Sequence, residues 1–307
     1  MDDDRTASLM TPAKLAQVKP KSPVAPAAWL NQMAADAGQA HVVRLGELRG
    51  ELQAHAADAR LGSVAQALAQ LGSALPQLDF GLLQSRGWWA RTTGKARTAG
   101  VEFSRQVEPI DLAARELVAR VQALQTASRT PRPGKDRAML EFEVELRAID
   151  KIIDQGARWL EDMRNQIKAR NGAQLDAQGL QQVQDDAARC EILLVRLKAL
   201  KRVSSSAHQS HQRARAAAAR TEATLGLLRQ MVDADLKGWQ VRVSALAEAA
   251  AGAGPSASQV DAAMGAHRDL QLCVKQAMSD CAQTQAEEES AADGLLELGV
   301  QFDSLHN

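Results

Sequence analysis

Between residues 136 and 170 the apolar positions advance in steps of three and four: Met139, Phe142, Leu146, Ile149, Ile152/Ile153, Gly156, Trp159/Leu160, Met163 and Ile167. That spacing lays one side of a helix against a bundle. Asp136 reads as its N-cap and Asn171-Gly172 as its stop. Just upstream, Thr130-Pro131-Arg132-Pro133-Gly134 reads as a loop, because two prolines and a glycine do not propagate a helix.

Similar stripes occur elsewhere. Val42, Leu45, Leu48 and Leu52 form one short helix, and Leu61, Val64, Leu68, Leu71 and Leu75 form another that Pro76 ends. The stretch from Phe80 to Gly100 breaks helical regularity, and a long helix is expected from about Val101 to Ala127, with Pro109 near its first turns as a candidate kink. A still longer helix is expected from Leu180 to Ala250, with Gly226 and Gly238 as candidate interruptions and Gly252-Ala253-Gly254-Pro255 as its end. Ser256 then caps a last helix carrying Val260, Met264, Leu270, Val274, Met278 and Cys281, expected to fray into an acidic segment before Leu295, Leu296, Leu298 and Phe302. The expected fold is all-α: an elongated antiparallel helical bundle with long, coiled-coil-like helices. Its expected parts are a flexible tail (1–25), a short-helix region (26–79), a long-helix bundle (80–250) and an acidic C-terminal helix (256–307).

Composition supports this. Aromatic residues make up 3% of the chain and tyrosine is absent, which disfavours strand-rich folds. Cys190, Cys273 and Cys281 are odd in number and lack CxxC spacing, as expected of thiols in a reducing cytoplasm. No apolar run is long enough to span a bilayer, and the N-terminus lacks the apolar core of a signal peptide.

Charge changes the picture more than composition does. Overall, 37 basic and 37 acidic residues cancel. Locally they separate. The 30 residues between Glu191 and Glu222 hold no acid and seven bases: Arg196, Lys198, Lys201, Arg202, Arg213, Arg215 and Arg220. On a helical wheel all but Arg196 fall in an arc of roughly 160°. Leu200, Val203, Ala207, Ala214, Leu225, Leu228 and Val232 lie opposite, so the helix is expected to bury small apolar groups and show a basic ridge. Arg196 falls on the apolar side and needs a buried partner, an acid by expectation. After Lys275 seven acids and no lysine or arginine follow: Asp280, Glu287, Glu288, Glu289, Asp293, Glu297 and Asp303. Three readings compete. This acidic end neutralises the ridge, or Lys201, Arg202, Arg213, Arg215 and Arg220 engage an anionic partner, an acidic protein or lipid headgroups, or the ridge is a plain solvated face.

A second candidate contact is Trp88-Trp89 with Arg91 and Lys95 nearby, a composition suited to a membrane interface; the competing reading has one tryptophan plugging the end of the bundle and the other partly exposed. Without a sheet platform or repeated aromatics, nucleic acid is disfavoured as a partner. His208 and His211 share a helix face, but no carboxylate lies within a turn and Cys190 is too distant to complete a metal site. The chain lacks ExxH, GxxxxGK[ST], GxGxxG and GxSxG motifs. No catalytic residue, metal or cofactor is therefore expected. The expected function is that of a non-enzymatic cytoplasmic binding or scaffold protein with self-association open to it. The alternative is a peripheral protein at the inner membrane, attached through Trp88 and Trp89.

The order of segments resembles the TelA/KlaA toxic-anion (tellurite) resistance family over roughly residues 78 to 248. Gly87-Trp88-Trp89 with Gly94-Lys95 is similar to its Gly-aromatic-aromatic-basic segment, and Arg196-Leu197-Lys198-Ala199-Leu200 to its Arg-Leu helix start. Gln209 and Arg215 resemble its polar core, and Trp239-Gln240-Val241 its late tryptophan. The resemblance implies an all-helical cytoplasmic protein associated with tellurite, toxic-anion or stress resistance, with no established catalytic mechanism.

Overall fold

The structure is a computed structural model that describes residues 37–56, 61–83, 95–129, 133–171, 176–252 and 254–306. It is all-α, with no strand among the described residues. In chain order the helices are α1 (Gln39–Ala56), α2 (Leu61–Ala74), α3 (Lys95–Arg129), α4 (Pro133–Asn171), α5 (Ala177–Gln230), α6 (Lys237–Ala251) and α7 (Ala257–His306). Contacts divide the chain into two compact units. One comprises residues 1–49, 140–208 and 298–307, and the other residues 50–139 and 209–297.

In the second unit α2 packs on α3 and α3 on α6. The core joins Leu61, Leu68 and Leu71 of α2, Phe103, Ile110 and Leu117 of α3, Trp239 and Leu246 of α6, and Leu270 and Val274 of α7. Register is antiparallel: Gly100 meets Ala250 and Asp111 accepts from Gln240, while Gly72 meets Met278. Gly100 is required by closeness, since a Cβ there would sit 2.7 Å from the Ala250 carbonyl oxygen. α5 gives way to α6 through a wider π-helical turn, Met231–Leu236. Leu228, Val232 and Leu236 are all buried at four-residue spacing. On a regular α-helix three such positions drift by about 80°. The extra residue in the turn keeps them in line with Trp239, Val243 and Leu246.

In the first unit α4 runs antiparallel to both α1 and α5. His41 and Arg44 of α1 meet Glu145 and Glu141 of α4. Along α5, Arg170 pairs with Asp186 and Arg164 with Glu191, and Gly156 lies under Leu197. Phe142, Leu146, Ile149, Leu193, Leu197 and Leu200 are buried.

Several expectations need correction. Pro133 and Gly134 are not loop but the first residues of α4. A proline is tolerated at a helix start, where its missing N–H has no intrahelical partner anyway. Asp136 is therefore a first-turn acid rather than the cap. The helix expected from Val101 begins at Lys95 and runs through Pro109. α5 passes Gly226 unbroken, and Gly238 lies inside α6. The acidic segment does not fray, because α7 is continuous to His306. The break at Gly252–Pro255 is where expected, with Gly254 at φ +88°, a conformation suited to glycine. Ser256 caps α7 reciprocally: its N–H donates to Gln259 Oε1 at 2.8 Å and its Oγ accepts from the Gln259 N–H at 3.3 Å.

Candidate interaction surface

α5 presents one face to each unit's interior and, apart from Asp186 and Arg196, turns its charges away from it. In the first unit Cys190, Leu193, Leu197, Leu200, Val203 and Ala207 are buried, while Lys198, Lys201 and Arg202 are exposed. None of these three bases enters an ion pair among the described residues. Beside them Ile192 and Val195 are 59% and 66% exposed, far more than an apolar side chain needs on a packed helix. Arg196 points inward, as expected, and donates to the amide oxygen Gln39 Oε1. Burial pulls its pKa down, which is why a strong acceptor is needed there.

In the second unit the acidic part of α7 lies alongside the C-terminal half of α5. Arg220 donates to Gln283 and lies 3.5 Å from Glu287. Thr221 donates to Glu288 at 2.7 Å. Between them the seam is polar and small: Thr224 and Thr284 hydroxyls are 2.9 Å apart, and the Ser210 hydroxyl donates to the Gly294 carbonyl at 2.9 Å. Arg213 is exposed and lies over Gly294. Arg215 is exposed. The acidic segment thus engages Arg220 directly, while Lys201 and Arg202 keep their exposure in the other unit. Trp88, Trp89 and Arg91 lie outside the described residues. Lys95 opens α3, and its side chain is outside them as well.

The two histidines take separate structural places. His208 Nε2 donates to Asp150 Oδ2 at 2.8 Å, and Ser204 Oγ donates to Asp150 Oδ1 at 2.6 Å. The Asp150 carboxylate thus accepts from both the hydroxyl and the imidazole, and His208 bonds to the aspartate through Nε2. His211 is buried in the second unit. No group of three metal-ligating side chains occurs among the described residues. Sequence reasoning missed Asp150, although a carboxylate next to Ile149 in an apolar stripe is a usable signal of a polar contact.

A second buried imidazole was also missed. His267 accepts from Trp239 Nε1 at 3.2 Å and stacks edge-on against Phe80, ring centroids 5.2 Å apart. Burial pulls its pKa down, opposed by the Leu75 backbone. The ring is thereby held neutral as a core element.

Comparison with protein-family models, with curated proteins and with solved structures finds no match to this chain. No described helix is long and apolar enough to cross a membrane.

Proposed function

We propose that the chain is a non-enzymatic helical binding or scaffold protein of the cytoplasm, in which the basic face of α5 docks an acidic protein partner. The observation that carries this reading is the exposure of Lys198, Lys201 and Arg202 on a helix that has no acid for 30 residues. Exposed bases without acidic neighbours on their own helix create a local positive field even in a neutral protein. An acidic protein suits it better than a bilayer, because Ile192 and Val195 offer a narrow apolar strip rather than a broad insertion face.

Retention on immobilised poly-glutamate tests the reading. The double variant Lys201→Glu/Arg202→Glu is expected to weaken binding at low salt by about tenfold or more, given roughly 0.2–1 kcal/mol per exposed pair plus new repulsion of similar size. Its thermal stability should match wild type. Unchanged retention would remove the proposal. Membership of the TelA-like group, with a role in tellurite or stress resistance, is a companion proposal resting on the resembling segments. Unaltered tellurite survival of cells lacking the chain would remove that one alone.

A further inference from the structure

We infer that the acidic partner of α5 is helix α7 of a second copy of this chain, an assignment that rests on the docking role proposed above. The C-terminal part of α7 carries an exposed strip that mirrors the one on α5. Leu296 and Val300 are 49% and 71% exposed, and Glu289 and Asp293 extend the same strip with negative charge. On a helical wheel these four fall within about 60° of one another. On α5 the matching residues are Ile192, Val195, Lys198 and Arg202, within about 120°. Both helices therefore show two apolar side chains followed by two charges, and the charges are opposite.

The spacings agree when the helices run antiparallel. Taken from Ile192, the rises to Val195, Lys198 and Arg202 are about 4.5, 9 and 15 Å. Taken from Val300, those to Leu296, Asp293 and Glu289 are about 6, 10.5 and 16.5 Å. Ile192 then meets Val300, Val195 meets Leu296, Lys198 meets Asp293 and Arg202 meets Glu289, each within about 1.5 Å in height. The apolar pairs supply burial, and the ionic pairs set register and exclude the parallel arrangement, which would oppose charge to apolar groups. One helix pair of this length buries an area at the small end of specific interfaces, so the association is weak and falls as salt screens the charges.

Sedimentation equilibrium of the full chain tests the assignment, using Lys198→Glu/Arg202→Glu, Glu289→Lys/Asp293→Lys and an equimolar mixture of the two. At low salt the wild-type average mass should rise above the 33.0 kDa monomer with concentration and return to it at high salt. Each variant alone should stay monomeric, and the mixture should associate again because its reversed charges match. A wild type that stays monomeric at every concentration overturns the inference, as does a mixture no more associated than its parts. Poly-glutamate retention of the same proteins separates the two levels. If Lys198→Glu/Arg202→Glu loses retention while wild type is monomeric, only the identity of the partner falls. If it keeps full retention, the docking role falls too.

Discussion

Substituting alanine for glycine at two helical sites should give opposite signs of stability change. At Gly100 in α3, a new Cβ would lie 2.7 Å from the Ala250 carbonyl oxygen, 3.0 Å from its carbon and 3.2 Å from its Cβ. Favourable contacts sit near 3.5–4.0 Å, so α3 and α6 must part by about 0.8 Å or more. The obstructing atoms are backbone and cannot rotate aside. Overpacking of this kind costs roughly 1–3 kcal/mol, against a gain of about 0.8–1 kcal/mol in helix propensity. Gly100→Ala should therefore destabilise by up to about 2 kcal/mol, toward the upper end because the obstructing atoms are backbone. At Gly226 in α5 a Cβ meets nothing within 4 Å, so Gly226→Ala keeps the propensity gain alone. Urea unfolding followed by far-UV circular dichroism reads the difference as midpoints on either side of wild type, with unchanged slope. If Gly100→Ala moves the midpoint up as Gly226→Ala does, the close approach of α3 and α6 is wrong.

Acid should loosen the second unit through His267. Its folded pKa lies below the ordinary 6.5, so the unfolded chain takes up a proton that the folded core refuses. That contribution to stability is complete above about pH 6.5. It is lost as pH falls from there toward the depressed folded value, at up to about 1.4 kcal/mol per pH unit. Relative to His267→Gln, wild-type urea midpoints should drop faster between pH 7 and pH 5, and parallel pH profiles would refute the buried neutral imidazole. Cysteine reactivity should follow burial: Cys281 is fully buried, and burial with Asp280 nearby pushes its thiol up to about 11. Iodoacetamide at pH 8 should label the half-buried Cys273 first and Cys281 only on unfolding, as peptide mass spectrometry would report; early labelling of Cys281 would contradict the core of α7.

The helices and their inward faces were legible because burial selects apolar residues at a fixed period. The stripes Val42–Leu52 and Leu61–Leu75 are buried as their spacing implied. What was not legible depends on neighbours in space. Gly226 costs about 1 kcal/mol in a helix, too little to stop α5 when packing continues at Leu228 and Met231 beyond it. The acid run Glu287–Glu289 reads as a fraying end in isolation, yet Arg220 and Thr221 from α5 receive two of its members. Charge segregation along α5 was visible from composition alone. Which base would meet which acid was not, because that follows from the antiparallel register of α5 and α7, set by residues such as Ser210, Thr224 and Thr284.

The contact between copies is tested most directly by a crosslink across the expected pair. Chains carrying Val195→Cys and chains carrying Leu296→Cys are mixed at low salt under mild oxidation and run without reductant. The mixture should yield a disulfide-linked species of twice the chain's mass, suppressed by high salt and absent from either chain alone. No linked species, or equal linkage when Leu112→Cys on the exposed face of α3 replaces Val195→Cys, would contradict the docking of α7 on the basic face of α5.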